Sequence, residues 1–305
     1  MSKEKKQQAV QTTGHAWDGD LQEFNNPLPT WWLWAFYGTV IFAIVYWVLF
    51  PAWPVGKSYT KGVLNDITYT TPAGKQVTSH WNTRALYLEE MEKARAEHAA
   101  YMEQLQSASL AEIANNEELS AFAYSMAKVL FADDCAACHQ AGANGVIGSY
   151  PNLLDDDWLW GGTYDQIHAS IANGHNGFMP AFSKTLNSAQ MDDVAEYVIS
   201  LSGSDVNPQK AEIGSNIFNG ETGGCYYCHD KGGVGRISQG AANLTDSIWT
   251  IADVPGQATL EGKKAVVKRV IANGVNRKMP AWKNRLNDTE VKILTFYVHE
   301  LGGGN

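Results

Sequence analysis

Apolar and polar positions divide the chain into three stretches of different period. Trp31 to Phe50 reads WWLWAFYGTVIFAIVYWVLF, twenty positions without a charge. At about 1.5 Å per residue such a helix spans about 30 Å, the hydrocarbon thickness of a bilayer. Pro27 and Pro29 precede it and Pro51 and Pro54 follow, which suits a helix stopped at both ends. Trp31, Trp32 and Trp34 crowd one end and Trp47 and Trp53 the other, as in aromatic belts at two membrane interfaces. No cleavage pattern of small residues follows Phe50, so the run is a membrane anchor in contact with lipid rather than a signal peptide. Residues 52–78 are rich in Gly, Thr, Lys and Pro and read as a loop. Helical periodicity begins at Thr83 to Gln106 and returns at Glu117 to Ala132, where Leu119, Phe122, Met126 and Leu130 form one stripe.

Beyond residue 110 the pattern repeats itself. Ile171-Ala172-Asn173-Gly174 recurs as Ile271-Ala272-Asn273-Gly274, and Met179-Pro180-Ala181-Phe182 as Met279-Pro280-Ala281-Trp282. Leu186-Asn187 and Tyr197-Val198 recur at Leu286-Asn287 and Tyr297-Val298. Each copy predicts a first helix, with Ala127/Phe131 in one matching Gly214/Phe218 in the other, where small residues let another helix approach. A short helix then ends at Gly174 or Gly274 in a left-handed cap. A last helix opens with Asn187…Gln190 or Asn287…Glu290. It turns Met191, Val194, Val198 and Leu201 inward, or Val291, Leu294, Val298 and Leu301. The expected order is a segment 1–30, a transmembrane helix 31–50, a partly helical connecting segment 51–110, and two related domains at 111–203 and 205–305.

Charge narrows the partners. The net charge of −9 excludes nucleic acid, whose phosphates need a basic face. The balance is uneven: residues 110–204 hold 2 basic against 12 acidic side chains, and residues 205–305 hold 12 against 10. An acidic first domain, with Asp155, Asp156 and Asp157 together, is expected to dock a basic soluble partner.

All four cysteines fall in two copies of one motif, Cys135-Ala136-Ala137-Cys138-His139 and Cys225-Tyr226-Tyr227-Cys228-His229. This is the attachment signature of c-type haem. Two thiols bind the porphyrin vinyl groups, and the histidine sits under the iron. A zinc ribbon would space its cysteine pairs by roughly 15–20 residues, and these pairs start 90 apart. Met is a common second axial ligand in such cytochromes. Met179 follows His139 by 40 residues and Met279 follows His229 by 50, each stiffened by a proline. His175 is the alternative ligand for the first haem. The chain is thus expected to be all-α, one transmembrane helix followed by two tandem cytochrome c-like domains carrying two covalent haems c. Because such haems are attached outside the bacterial cytoplasmic membrane, residues 51–305 are expected in the periplasm and the N-terminus in the cytoplasm. Lys3, Lys5 and Lys6 against Lys57 and Lys61 are too even to decide this alone.

The run Asp18-Gly19-Asp20-Leu21-Gln22-Glu23-Phe24-Asn25-Asn26-Pro27-Leu28-Pro29-Thr30-Trp31-Trp32 resembles the approach to the membrane helix in subunit III of cbb3-type cytochrome c oxidases. Tyr150-Pro151-Asn152-Leu153-Leu154-Asp155-Asp156-Asp157-Trp158-Leu159-Trp160-Gly161-Gly162 resembles the stretch after its first haem. The resemblance implies a bacterial inner-membrane subunit without catalysis of its own. It would pass electrons from a soluble cytochrome c or the bc1 complex, through a monohaem cytochrome c subunit, to a haem–copper subunit that reduces oxygen. An anchored dihaem cytochrome serving another reductase and a dihaem peroxidase are the alternatives. In the family pattern a Pro supports the proximal histidine. Pro151 fits, whereas the second copy has Ala242, so support of His229 is the weaker expectation.

Overall fold

The computed structural model describes residues 11–64 and 66–302. Lys3, Lys5 and Lys6 lie outside the described residues. The chain divides into two compact units, 1–99 and 100–305.

In the first unit, β1 (Thr12–Trp17) and β2 (Leu21–Phe24) form a hairpin. Its turn uses Asp18 and Gly19, both at positive φ. The apolar run becomes helix α1 (Thr30–Leu49), within one residue of the expected span. It is long and apolar enough to cross a membrane, and no residue in it is buried. In place of the loop expected over residues 52–78, the described residues there form two hairpins. β3 (Pro54–Val55) pairs with β4 (Ser58–Tyr59), and β5 (Asp66–Thr70) with β6 (Gln76–His80). Ile67, Thr68 and Tyr69 suit a strand, and Gly74 at φ 75° closes its turn. Helix α2 (Thr83–Ser107) follows.

The second unit holds α3 (Leu110–Asn115), α4 (Glu117–Asp134), α5 (Ala136–His139), α6 (Tyr164–Asn173), β7 (His175–Met179), α7 (Ser188–Leu201), α8 (Pro208–Asn219), α9 (Tyr226–His229), α10 (Leu260–Asn273), β8 (Val275–Met279) and α11 (Asp288–Leu301). The fold is mainly helical. The expectation of an all-α chain is corrected by four two-stranded antiparallel pairs among the described residues. The capping boxes at Asn187 and Asn287 form as expected.

Two apolar cores form, and neither follows the expected segments 111–203 and 205–305. The first gathers Ile113, Leu119, Ala127 and Phe131 with Ile167 and Ile171, then takes Val291, Leu294, Tyr297 and Val298 from the far end of the chain. The second joins Met191, Val194, Val198 and Ile199 to Phe218, Val267 and Ile271. Thus α11 packs on α4 and α6, while α7 packs on α8 and α10. The last helices of the two repeats have changed places.

The cause is the connection after α7. Only residues 202–207 separate it from α8, and so short a link favours an antiparallel helical hairpin. Gly214 lets the two helices close: a Cβ there would lie 2.0 Å from the Asp193 carbonyl oxygen. Helix α4, left without α7, takes the homologous face of α11. Fully buried Leu105 joins this first core, and Lys292 of α11 donates to the carbonyls of Leu105, Gln106 and Ala108 at the end of α2. A cation there also complements the helix dipole.

The chains cross at β7 and β8, which pair antiparallel with Met179 opposite Val275 and Met279 opposite His175. Past the strands, Phe182 and Ser183 donate to Ile271 and Ala272, and Trp282 and Lys283 donate to Ile171 and Ala172. Gly174 and Gly274 stand at this crossing with φ of 65° and 68°. A Cβ on either would come within 2.3 Å and 2.4 Å of the carbonyl oxygens of Met279 and Met179, respectively.

A charged cluster holds the second lobe. Lys264, 3% exposed, lies 2.9 Å from Asp192, 3.1 Å from Glu196 and 3.1 Å from Glu261. Glu196 also accepts from the backbone N–H of Asn207, the cap of α8. Lys264→Met leaves Glu196 charged and buried, and is expected to destabilise by about 3–5 kcal/mol. Gly174→Ala forces a side chain into a conformation costing about 1–3 kcal/mol, besides the clash. Thermal unfolding of the haem-loaded chain should show a lower midpoint for each.

Candidate haem sites

Helix α4 runs straight into the first cysteine motif, and α8 reaches the second after a short turn. In each motif the chain makes one helical turn: Cys138 and His139 donate to the Cys135 carbonyl at 3.1 and 3.0 Å, and Cys228 and His229 to that of Cys225 at 3.2 and 2.9 Å. Spacing i, i+3 in such a turn puts both thiols on one side. The residue after each histidine, Gln140 or Asp230, has φ of 68° or 62° and extended ψ, a region otherwise kept by glycine. The same strain recurs in both copies where the chain leaves the turn.

Each histidine is aimed by a backbone carbonyl. His139 Nδ1 donates to the Pro151 oxygen at 3.1 Å, and His229 Nδ1 to the Ala242 oxygen at 3.0 Å. A carbonyl can only accept, so Nδ1 carries the proton and Nε2 keeps a free lone pair for a metal. The weaker support expected for His229 is therefore absent: the carbonyl orients the ring, whether or not it belongs to proline. Burial holds both imidazoles below their usual range, with the carbonyl bonds opposing it. Burial also pushes the Cys135 and Cys225 thiols up to about 11.

The donor set fits c-type haem. Two thiols, an oriented neutral imidazole and apolar walls recur in both lobes, and Trp158 Nε1 in the first is a buried donor without a protein acceptor. Such a donor suits an acidic edge group of the porphyrin. The two cysteine pairs belong to different cores. Among the described residues no group of three or more His, Cys, Asp or Glu is gathered as a metal-ligand cluster.

The methionines are not where their spacing placed them. Met179, expected over the haem of its own repeat, packs on the second core, as do Cys225 and Tyr226. Met279 packs on the first core, as do Cys135 and Ala136. The cause is the crossing of β7 and β8. His175, the alternative ligand, is otherwise engaged: its ring stacks on Trp160 at 4.0 Å and its Nε2 lies 2.8 Å from Ser170 Oγ. Half-buried Arg277 was not singled out from sequence. It sits at the middle of the β7–β8 ladder opposite Gly177, a fixed positive charge between the two methionines in register. Only its pairing register, invisible in the linear pattern, draws notice to it.

The acidic triplet is also rearranged. Asp156 is exposed, but Asp155 and Asp157 are half-buried, and Asp155 Oδ1 accepts from the Asp157 N–H. Asp157 Oδ2 is buried without a partner. Burial, then Asp246 and the two neighbouring aspartates, push its carboxyl up to about 6. The folded chain thus holds a proton that the unfolded chain, at 3.8, has released. Stability from this group falls as pH rises from about 4 to about 6 and stays reduced above. Asp157→Asn is expected to raise the thermal midpoint at pH 7.5, with the gain disappearing below about pH 4.

Residues 9–57 match the family model described as the N-terminal domain of cytochrome oxidase-cbb3, FixP. Residues 123–198 and 209–298 match that of cytochrome c oxidase, cbb3-type, subunit III. The chain is 43% identical over 302 residues to the cbb3-type cytochrome c oxidase subunit FixP of Azorhizobium caulinodans, covering 96% of this chain and 93% of that one. It is 41% identical to FixP of Bradyrhizobium sp. strain ORS 278 (96% and 95% covered) and 36% identical to subunit CcoP of Cereibacter sphaeroides (96% and 95% covered). With likeness of this extent over both Cys-x-x-Cys-His motifs and the apolar helix α1, the chain belongs to the FixP/CcoP family, subunit III of cbb3-type cytochrome c oxidases.

Proposed function

We propose that this chain is the dihaem electron-relay subunit of a bacterial cbb3-type oxidase. The observation that carries the reading is the twofold recurrence of one device: a Cys-x-x-Cys-His turn whose histidine donates Nδ1–H to a backbone carbonyl. Haem c supplies reversible one-electron chemistry at iron. Cys135, Cys138, Cys225 and Cys228 would hold the two groups covalently, and His139 and His229 would present Nε2 to iron. Met179 and Met279 would supply sulfur on the other side. Soft thioether ligands raise the potential, and two filled axial positions leave little to rearrange when an electron arrives.

The chain's own residues would keep these sites rigid and dry. Phe131 lies against Tyr297 with ring centroids 5.4 Å apart, and Phe218 against Tyr197 at 5.3 Å. Helix α1 would anchor the subunit in the inner membrane with the N-terminus in the cytoplasm and residues 51–305 in the periplasm. Electrons would arrive from a soluble cytochrome c or the bc1 complex and leave, through a monohaem subunit, for the haem–copper subunit. Asp156 remains as the exposed member of the triplet.

Purified from membranes, the chain is expected to carry two covalent haems and to bring a haem–copper subunit with it. Replacing Cys225 and Cys228 by Ser should halve the haem per chain, read as a pyridine haemochrome against protein mass. One haem per wild-type chain, or purification without a haem–copper subunit, would overturn the proposal.

A further inference from the structure

We propose that Arg277 is a positioning residue of the haem sites: its guanidinium, at the centre of the inner face of the β7–β8 ladder, pairs with a propionate carboxylate of the haem held by His139 and keeps that haem's potential high. This rests on the reading above that haem c occupies both Cys-x-x-Cys-His turns, and it names the group that meets the haem's acidic edge.

The ladder sets the geometry. Both strands alternate half-buried and exposed positions, so His175, Gly177 and Met179 share one inner face with Val275, Arg277 and Met279. Arg277 stands opposite Gly177 at the middle of this ladder. At about 3.4 Å per residue it lies about 7 Å from Met279 along the strand, and the diagonal to Met179 is about 7–8 Å. The repeat supplies this charge only once. Position 177, the counterpart of 277 in the first copy, is glycine, and two arginines directly opposed would repel. A Cβ on Gly177 would meet only the Arg277 carbonyl oxygen, at 3.9 Å, so the protein leaves room on the inner face at this point.

The charge on that face has no protein counter-ion. Among the described residues no carboxylate pairs with half-buried Arg277 and no hydrogen bond holds its guanidinium. Other cations of the second repeat are engaged: Lys264 by three carboxylates, Arg236 by Asp230 at 3.3 Å, Lys283 by Asn173 Oδ1 at 3.0 Å and Arg285 by the Trp282 ring at 4.5 Å. A partly desolvated cation without an anion is costly, and the planar guanidinium fork matches a carboxylate. Haem brings two carboxylates to the face where Arg277 stands. The phenol of Tyr150 acts on the Arg277 charge, and Tyr150 adjoins Pro151, whose carbonyl holds His139. That neighbour selects the first haem. A carboxylate from another protein would meet the outer face first, where Asn176, Phe178, Asn276 and Lys278 are exposed.

The test is a redox titration of the haem-loaded full chain in detergent, with Arg277→Gln and Arg277→Lys beside the wild type. NMR cross-peaks to the cysteine thioethers tell the two haems apart. A positive charge near iron disfavours the ferric state. Arg277→Gln should therefore lower the reduction equilibrium constant of the haem on Cys135 and Cys138 about tenfold, or about 59 mV for one electron. The haem on Cys225 and Cys228 should move less, and Arg277→Lys should recover most of the loss. The sulfur-to-iron charge-transfer band of the ferric haems should persist, which separates lost charge from lost ligation. Unchanged potentials in Arg277→Gln, or an equal fall in Arg277→Lys, would overturn the proposal. Should Arg277→Gln fail to accumulate or lose that band, infrared spectroscopy decides. With 13C in the haem carboxylates, a labelled band of the reduced-minus-oxidised spectrum that shifts between wild type and Arg277→Lys supports the pairing. Identical labelled bands refute it. A wild-type chain without covalent haem would sink the haem reading itself, a distinct result.

Discussion

The short link between the two repeats constrains everything built around the haem motifs. Six residues between them favour closing α7 and α8 into a hairpin, which the structure shows. The repeats are similar enough that either last helix fits either first helix. The choice therefore falls to chain connectivity, because the nearer partner costs less closure entropy. Once α7 is taken, α11 must complete the other lobe. The strands leading to those helices must cross, and the methionines travel with them.

Much of this was legible in the sequence, though not the exchange. Helix α1 was legible because twenty uncharged residues between prolines form one uninterrupted apolar helix. The motifs at Cys135 and Cys225 were legible because their chemistry is local, confined to one helical turn. Helix α4, both late capping boxes and the inward stripes of α7 and α11 followed from periodicity alone. What periodicity cannot say is which copy a stripe packs against, since Val194 and Leu294 are equally good for either core. The same degeneracy hid the strand pairing of Met179 and Met279. The hairpin at 66–80 was missed because Gly, Thr and Pro dominated the reading over the short β-branched run. At Ala242 the side chain misled, and the carbonyl did the orienting.

The crossing is held by glycine, hydrogen bonds and charge together. Gly174 and Gly274 allow the backbone of one repeat to touch that of the other. The buried Lys264 cluster joins α7, α10 and the cap of α8, a place where an apolar substitute would lose its partners. In the first lobe Tyr164 of α6 instead stacks on His299 of α11 and bonds Glu300. The two lobes thus share a plan and differ in how they are secured, which gives the two Cys-x-x-Cys-His turns different surroundings.

The interleaving of the repeats is the central claim, and cross-linking tests it most directly. A photoreactive benzophenone side chain in place of Tyr124, which is 40% exposed and has its ring 4.8 Å from that of Tyr297, would be activated in the haem-loaded full chain. Mass spectrometry of the digest should then find the link in residues 288–301. A link in residues 188–201 instead would contradict the exchange and restore two self-contained domains.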